Sequence, residues 1–387
     1  MNAIKNLDGV RGIAILLVVF FHLPTQPGWG GALTLTLPCG WMGVQLFFVL
    51  SGFLITRILI HSKDQAFGVY LRRFYVRRVL RIFPLYYGFL LALGAVYLAT
   101  SLPEQLERYW PHLATFTWNW TRADAAWEES NRFVHLWSLS VEEQFYLVWP
   151  FLVFLLSRRG ILIACVTAIV ACPFVRQAFA AAYDADGLSP YAIYDATYWN
   201  TLCQLDAFAW GALLTLIPGE WMPRIPSRWT LAGGAALFVG CGAAWQLYAV
   251  GAPPALEAVH RDVTLASAGY WFPLGLPTAL GSSSAQHVWG YTVINAFFAT
   301  VVLYAVTRPS TWLLANRALV DIGKVSFGMY VLHLPILAMA SHFGGDALKI
   351  TSWQGATLYL AVLYSASKLV YAFWERPFLL LKDRLAP

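Results

Sequence analysis

The chain has 387 residues, 59% of them hydrophobic and only 12% charged, with a net charge of +6. A soluble domain carries about 25% charged residues, so an ordinary soluble globular fold is excluded and a polytopic membrane protein is expected. The positive balance is not a nucleic-acid signal: the basic residues cluster at the ends of apolar runs, where the orientation rule needs them, and the 18 Trp suit interfacial belts.

Apolar runs predict an all-α bundle of about ten spans, at 8–25, 41–60, 82–100, 134–156, 160–180, 199–217, 229–250, 288–307, 319–342 and 353–374. The run 263–280 is broken by Gly and Pro and reads as a re-entrant or interfacial segment. Lys63, Arg72, Arg73, Arg77, Arg78 and Arg81 put 61–81 in the cytoplasm, and the later basic loops alternate consistently with that choice. Both termini then fall on the cytoplasmic side, and the whole of 1–387 reads as one integral-membrane domain. Four of the five Cys lie in or beside apolar runs and show no metal-ligand spacing.

The first span, LDGVRGIAILLVVFFHL, carries Arg11 and His22. Eleven helical steps leave the two within roughly 20° of one face and about 16 Å apart along the axis. Arg11 is explained equally by snorkelling to lipid phosphate. His22 is deeper, has no short route to water, and is a candidate functional group. The second span brings Gly43, Ser51 and Gly52, small residues that allow close helix packing.

In YLRRFYVRRVLRIFP, Arg73, Arg77 and Arg81 recur every fourth residue, so one helical face is densely basic before Pro84 bends or resets the helix. That face reads either as an anchor to anionic lipid or as a phosphate platform for a cytosolic ligand. After a Trp-rich polar outer loop at 101–133 comes RFVHLWSLSVEEQFYLVWP. His135 and Glu142 are two turns apart and share a face, with Ser138 between them. Glu142 is placed either to orient His22 or to meet outer water; Glu143, about 100° away, reads as facing water.

Asp206 is an isolated intramembrane acid that needs an Arg or Lys from a neighbouring span. Ser326, Tyr330 and His333 form a polar stripe that either lines an internal cavity, as substrate-binding residues, or ties helices together. Glu375–Arg376–Pro377 is expected to stop the last helix and pair locally.

Taken together, LDGVRGIAILLVVFFH, GVQLFFVLSGFLI, RRVLRIFPLYY, HLWSLSVEEQFYLVWP, IGKVSFGMYVLHLP and the terminal WERPF resemble acyltransferase family 3 across nearly the whole chain. The resemblance implies a multi-pass enzyme of the bacterial inner membrane. It would move an acyl group, acetyl first among the choices, from cytosolic acyl-CoA to a hydroxyl of an envelope carbohydrate or lipid-linked sugar. No permanently bound cofactor or metal is implied. The family's Arg-x10-His motif maps onto Arg11 and His22, its Arg-x-x-Arg motif onto Arg78 and Arg81, and its acid onto Glu142. The chain resembles the standalone class, without the C-terminal SGNH-type domain that some members carry. In this reading Arg78 and Arg81, helped by Arg77, hold the CoA phosphates; His22 is the general base and Glu142 orients its ring. Acyl passes directly to the acceptor or rests first on a protein residue. The rivals are a carrier for a small anionic solute, since intramembrane Arg, His and Asp also serve carriers, and a polymerase or flippase partner without chemistry of its own.

Overall fold

A computed structural model describes residues 2–23, 40–101, 105–124, 126–130, 132–250, 285–308, 311–343 and 353–386. All regular structure among them is helical, as a bilayer demands, because each backbone group must find its partner within its own segment. In order, α1 spans Asn2–Phe21, α2 Met42–His61, α3 Phe67–Thr100, α4 Leu106–Ala114, α5 Trp137–Leu155, α6 Arg158–Ala185 and α7 Pro190–Trp199. Then come α8 at Leu205–Leu214, α9 at Ser227–Val250, α10 at Ala285–Thr307, α11 at Arg317–Lys324, α12 at Ser326–Phe343, α13 at Trp353–Val370 and α14 at Arg376–Leu385.

Among the described residues, five helical stretches are long and apolar enough to cross a membrane: α2, α3, α6, Trp289–Thr307 within α10, and Gln354–Lys382 across α13 and α14. The α11–α12 pair, bent by 74° at its junction, makes a sixth if it is one broken span. Helices α1, α5 and α9 occupy the expected spans at 8–25, 134–156 and 229–250. The expected span at 199–217 is different: it is a 3-10 turn, Thr201–Gln204, leading into α8, and this apolar run is too short to cross alone. The run 263–280 lies outside the described residues.

Two boundaries differ instructively from expectation. The basic helical face before residue 82 and the span expected at 82–100 are one continuous 34-residue helix, α3, with Pro84 inside it. The last span does not stop at Glu375–Arg376–Pro377. A π-turn, Tyr371–Glu375, carries the chain into α14, where Pro377 sits in the first turn and its missing N–H is not needed.

The chain's contacts cluster into two compact units. Unit 1 comprises Met1–Ile55 and Arg158–Gly323. Within it, α6 packs on α8, α9 on α10, and α1 on α10. Helices α2 and α8 meet backbone to backbone through reciprocal glycines: a Cβ on Gly52 would strike the carbonyl of Phe208, and one on Gly211 would strike that of Val49. Unit 2 comprises Thr56–Ser157 and Lys324–Pro387, with α12 on α13 and α14 on α3. The described part of the Trp-rich 101–133 segment is packed structure here. Tyr86 and Tyr87 of α3 donate to the carbonyls of Leu113 and Ala114 at 2.7 and 2.9 Å, Gln144 of α5 donates to the Phe116 carbonyl at 2.7 Å, and Trp118 is fully buried.

Candidate active site

Unit 1 carries the first-span pair. Arg11 Nη1 donates to Asp8 Oδ1 at 2.9 Å, an i,i+3 pair with side chains 29% and 13% exposed. Asp8 was visible in the sequence at that spacing and steadies the guanidinium without burying it. His22 sits one residue beyond α1, and its Nδ1 lies 2.9 Å from the carbonyl of Val18. A carbonyl only accepts, so Nδ1 carries the proton and the neutral ring's lone pair is on Nε2. The backbone of α1 itself therefore fixes the tautomer, a task the sequence reading gave to Glu142.

Asp206 finds the partner that its isolation demanded. Arg176 of α6 donates from Nη2 to Asp206 Oδ1 at 2.5 Å, and both side chains are wholly buried. The remaining groups close around the pair. Thr292 donates to Asp206 Oδ2 at 2.6 Å, Asn295 to Oδ1 at 3.2 Å, and Arg176 Nε to the Cys203 carbonyl at 2.8 Å. The guanidinium also lies over the Tyr291 ring, 5.2 Å from its centroid. This arrangement is a structural clasp: both charges of the pair are met by groups of the protein itself.

Unit 2 carries the arginine face and the acids. Helices α3 and α5 run antiparallel, with Tyr70 donating to the Pro150 carbonyl and Tyr75 to that of Leu147, each at 2.9 Å. The same ladder brings the Arg78 guanidinium over the Tyr146 ring, 5.8 Å from its centroid, while Tyr146 donates to Glu142 Oε1 at 3.0 Å. The sequence reading put Arg78 on the inner side and Glu142 at the outer end of its span; the structure puts them at one level. The reason is the early start of α3 at Phe67, which places Arg78 about 16 Å along the helix. Glu143 turns one oxygen inward while the residue as a whole stays part-exposed: its Oε1 is buried and has no donor among the described residues. Arg77 Nη1 donates to the carbonyl of Ala386 at 2.6 Å.

Beside this lies a buried polar cluster that joins α12 to the start of α5. Tyr330 donates to the His135 carbonyl at 2.6 Å, and its oxygen lies 2.6 Å from Ser138 Oγ. The tyrosine has one proton, so Ser138 is the donor in that second bond. His135 Nε2 donates to the Val331 carbonyl at 3.1 Å, and His333 Nδ1 to the Tyr330 carbonyl at 2.6 Å. The rings stand 4.8 Å apart at 72°, holding opposite tautomers. His135 lies on a 3-10 turn, Val134–Leu136, so it does not share an α-helical face with Glu142 as the spacing suggested. These bonds tie the elements together; Ser326, at the start of α12, is buried as well.

A multi-pass helical membrane protein with an intramembrane His, a basic face and a facing acid pair is the class these observations define. Comparison with known families makes it specific: the family model described as Acyltransferase domain matches residues 4–372, and the chain belongs to that family, acyltransferase family 3. A candidate O-acetyltransferase of Staphylococcus aureus strain COL is 24% identical over 392 residues, covering 98% of this chain and 58% of the relative. The chain thus spans little more than half the length of that protein. The peptidoglycan O-acetyltransferase OatA of Listeria monocytogenes is 31% identical over 156 residues, covering 38% of this chain and 24% of the relative. The O-acetyltransferase OatA of Staphylococcus aureus strain NCTC 8325 is 32% identical over 164 residues, covering 40% of this chain and 26% of the relative. No solved structure gives a significant match. The description of that family points to acyl transfer rather than to carriage of a solute.

Proposed function

We propose that this enzyme moves an acetyl group from acetyl-CoA to a hydroxyl of an envelope carbohydrate, with His22 as general base. The observation that carries the reading is the Val18 carbonyl on His22 Nδ1, which leaves Nε2 as the basic nitrogen. Nε2 takes the proton of the acceptor hydroxyl as its oxygen attacks the thioester carbonyl. The C–S bond breaks, and the departing CoA thiolate recovers the proton from His22. The imidazolium formed in between needs a negative neighbour. Arg78 and Arg81, with Arg77, hold the phosphates of CoA, since guanidinium forks match phosphate oxygens. Arg11, steadied by Asp8, meets the donor midway along α1, eleven helical steps (about 16 Å) from His22. Ser138, His135, Ser326, Tyr330 and His333 supply polar contacts for the sugar. The Listeria relative is named for peptidoglycan, which supports a carbohydrate acceptor. The proposal includes a single multi-pass domain in the bacterial inner membrane, surrounded by lipid.

The test uses the purified chain in nanodiscs with acetyl-CoA, with and without an envelope-sugar extract. Thiol release that depends on the extract, and disappears in His22→Ala while the protein stays folded, is the expected result. Extract-dependent release that survives His22→Ala would remove His22 from the chemistry.

A further inference from the structure

Glu375 has no part in the reaction as described. It is the last residue of the π-turn, it is 4% exposed, and its Oε1 is buried with no hydrogen-bond donor among the described residues. A buried oxygen of this kind calls for a partner, a ligand among the choices, and π-turns concentrate at functional sites. The space beside the oxygen is kept open by a glycine: a Cβ on Gly328 of α12 would stand 3.3 Å from Oε1. The turn is also held at a defined place on α3. Trp374 Nε1 donates to the Pro84 carbonyl at 2.9 Å, about one turn beyond Arg81. Arg81 is the cation whose charge acts on Glu375, and among the described residues no hydrogen bond or ion pair closes its guanidinium. The π-turn that carries this open acceptor is thus pinned to α3 within about one turn of Arg81.

We infer that Glu375 is a donor-binding residue, its Oε1 accepting an N–H or O–H of the pantetheine arm of acyl-CoA beside the phosphates that Arg81 holds. The inference rests on the donor reading above. The arm of CoA carries a hydroxyl and amide N–H groups directly after its diphosphate. A cation followed by an uncapped acceptor matches that order of groups. A purely anionic ligand such as free phosphate would satisfy Arg81 and be repelled by Glu375.

The experiment measures binding of two probes to the purified full chain: acetyl-CoA, and the adenosine bisphosphate half of CoA, which lacks the pantetheine arm. Glu375→Gln is expected to weaken acetyl-CoA about tenfold, because a neutral amide oxygen accepts more weakly than a carboxylate, and to leave the nucleotide half unchanged. Gly328→Ala, which places a methyl against Oε1 with the carboxylate intact, is expected to act the same way. Arg81→Ala should weaken both probes. Equal weakening of both probes by Glu375→Gln would mean that Glu375 only arranges Arg81, and no change in either would remove it from the site; each result overturns the inference. If Arg81→Ala changes neither probe, the donor reading itself fails, and that outcome is distinct from the other two.

Discussion

Arg176 in unit 1 and the Arg78–Arg81 pair in unit 2 are cations on apolar helices, yet their surroundings are opposite in kind. Around Arg176, the Asp206 carboxylate, Thr292, the Cys203 carbonyl and the Tyr291 face take up the guanidinium, and both members of the ion pair are fully buried. Around Arg78 and Arg81, the acids are near but incompletely met: Oε1 of Glu143 and Oε1 of Glu375 are buried without donors among the described residues. A charge that the protein itself satisfies holds the fold together, because removing one partner strands the other. A group of opposite charges left partly unmet costs stability in the resting protein and is suited to receiving a ligand. The comparison separates an arginine whose charge the protein itself satisfies from the pair proposed to bind the donor, although both sit in hydrophobic sequence.

The sharpest way to break this comparison is at the clasp. Arg176→Ala or Asp206→Ala should destabilise the protein by about 3–5 kcal/mol, read as a lower unfolding midpoint in detergent. Replacing both with apolar residues of similar volume should recover most of that loss, because no charge is then stranded. Next in size is the base: His22→Ala should lower acetyl transfer by about a hundredfold or more with the unfolding midpoint unchanged, measured as thiol release. In unit 2, Arg78→Ala should weaken acetyl-CoA about tenfold and shift the unfolding midpoint far less than Arg176→Ala does. A destabilisation as large as that of Arg176→Ala would erase the distinction drawn between the two regions. The smallest expected effect is in the polar cluster. Tyr330→Phe removes the donor to the His135 carbonyl and should cost about 1 kcal/mol, and Ser138→Ala less, since Tyr330 keeps its own acceptor. If Tyr330→Phe also raises the KM for the sugar, the cluster binds substrate as well as tying helices.

Much of the site was legible because it is written in local spacing. Arg11 and His22 stand out as costly groups in one span, and Asp206 was expected to need a cation from a neighbouring span, which Arg176 supplies. The glycines of the second span were expected to allow close packing, and Gly52 meets the backbone of α8. What was missed depends on partners distant in sequence. The level at which Arg78 meets Glu142 follows from where α3 starts, and an apolar-run count places that start at the wrong residue because the arginines interrupt the run. Glu375 read as a helix stop paired with Arg376; the π-turn instead turns it inward, and nothing in WERPF announces a π-turn.

The sequence by itself determined the class of protein, its family motifs and which residues are too costly to be idle, because composition and helical periodicity act within one segment. Tertiary structure alone decided which charges are satisfied and which are left open. Burial and hydrogen-bond partners arise from helices packed side by side, and a carboxylate such as Glu143 or Glu375 has the same sequence context whether its oxygen meets a donor, water or nothing.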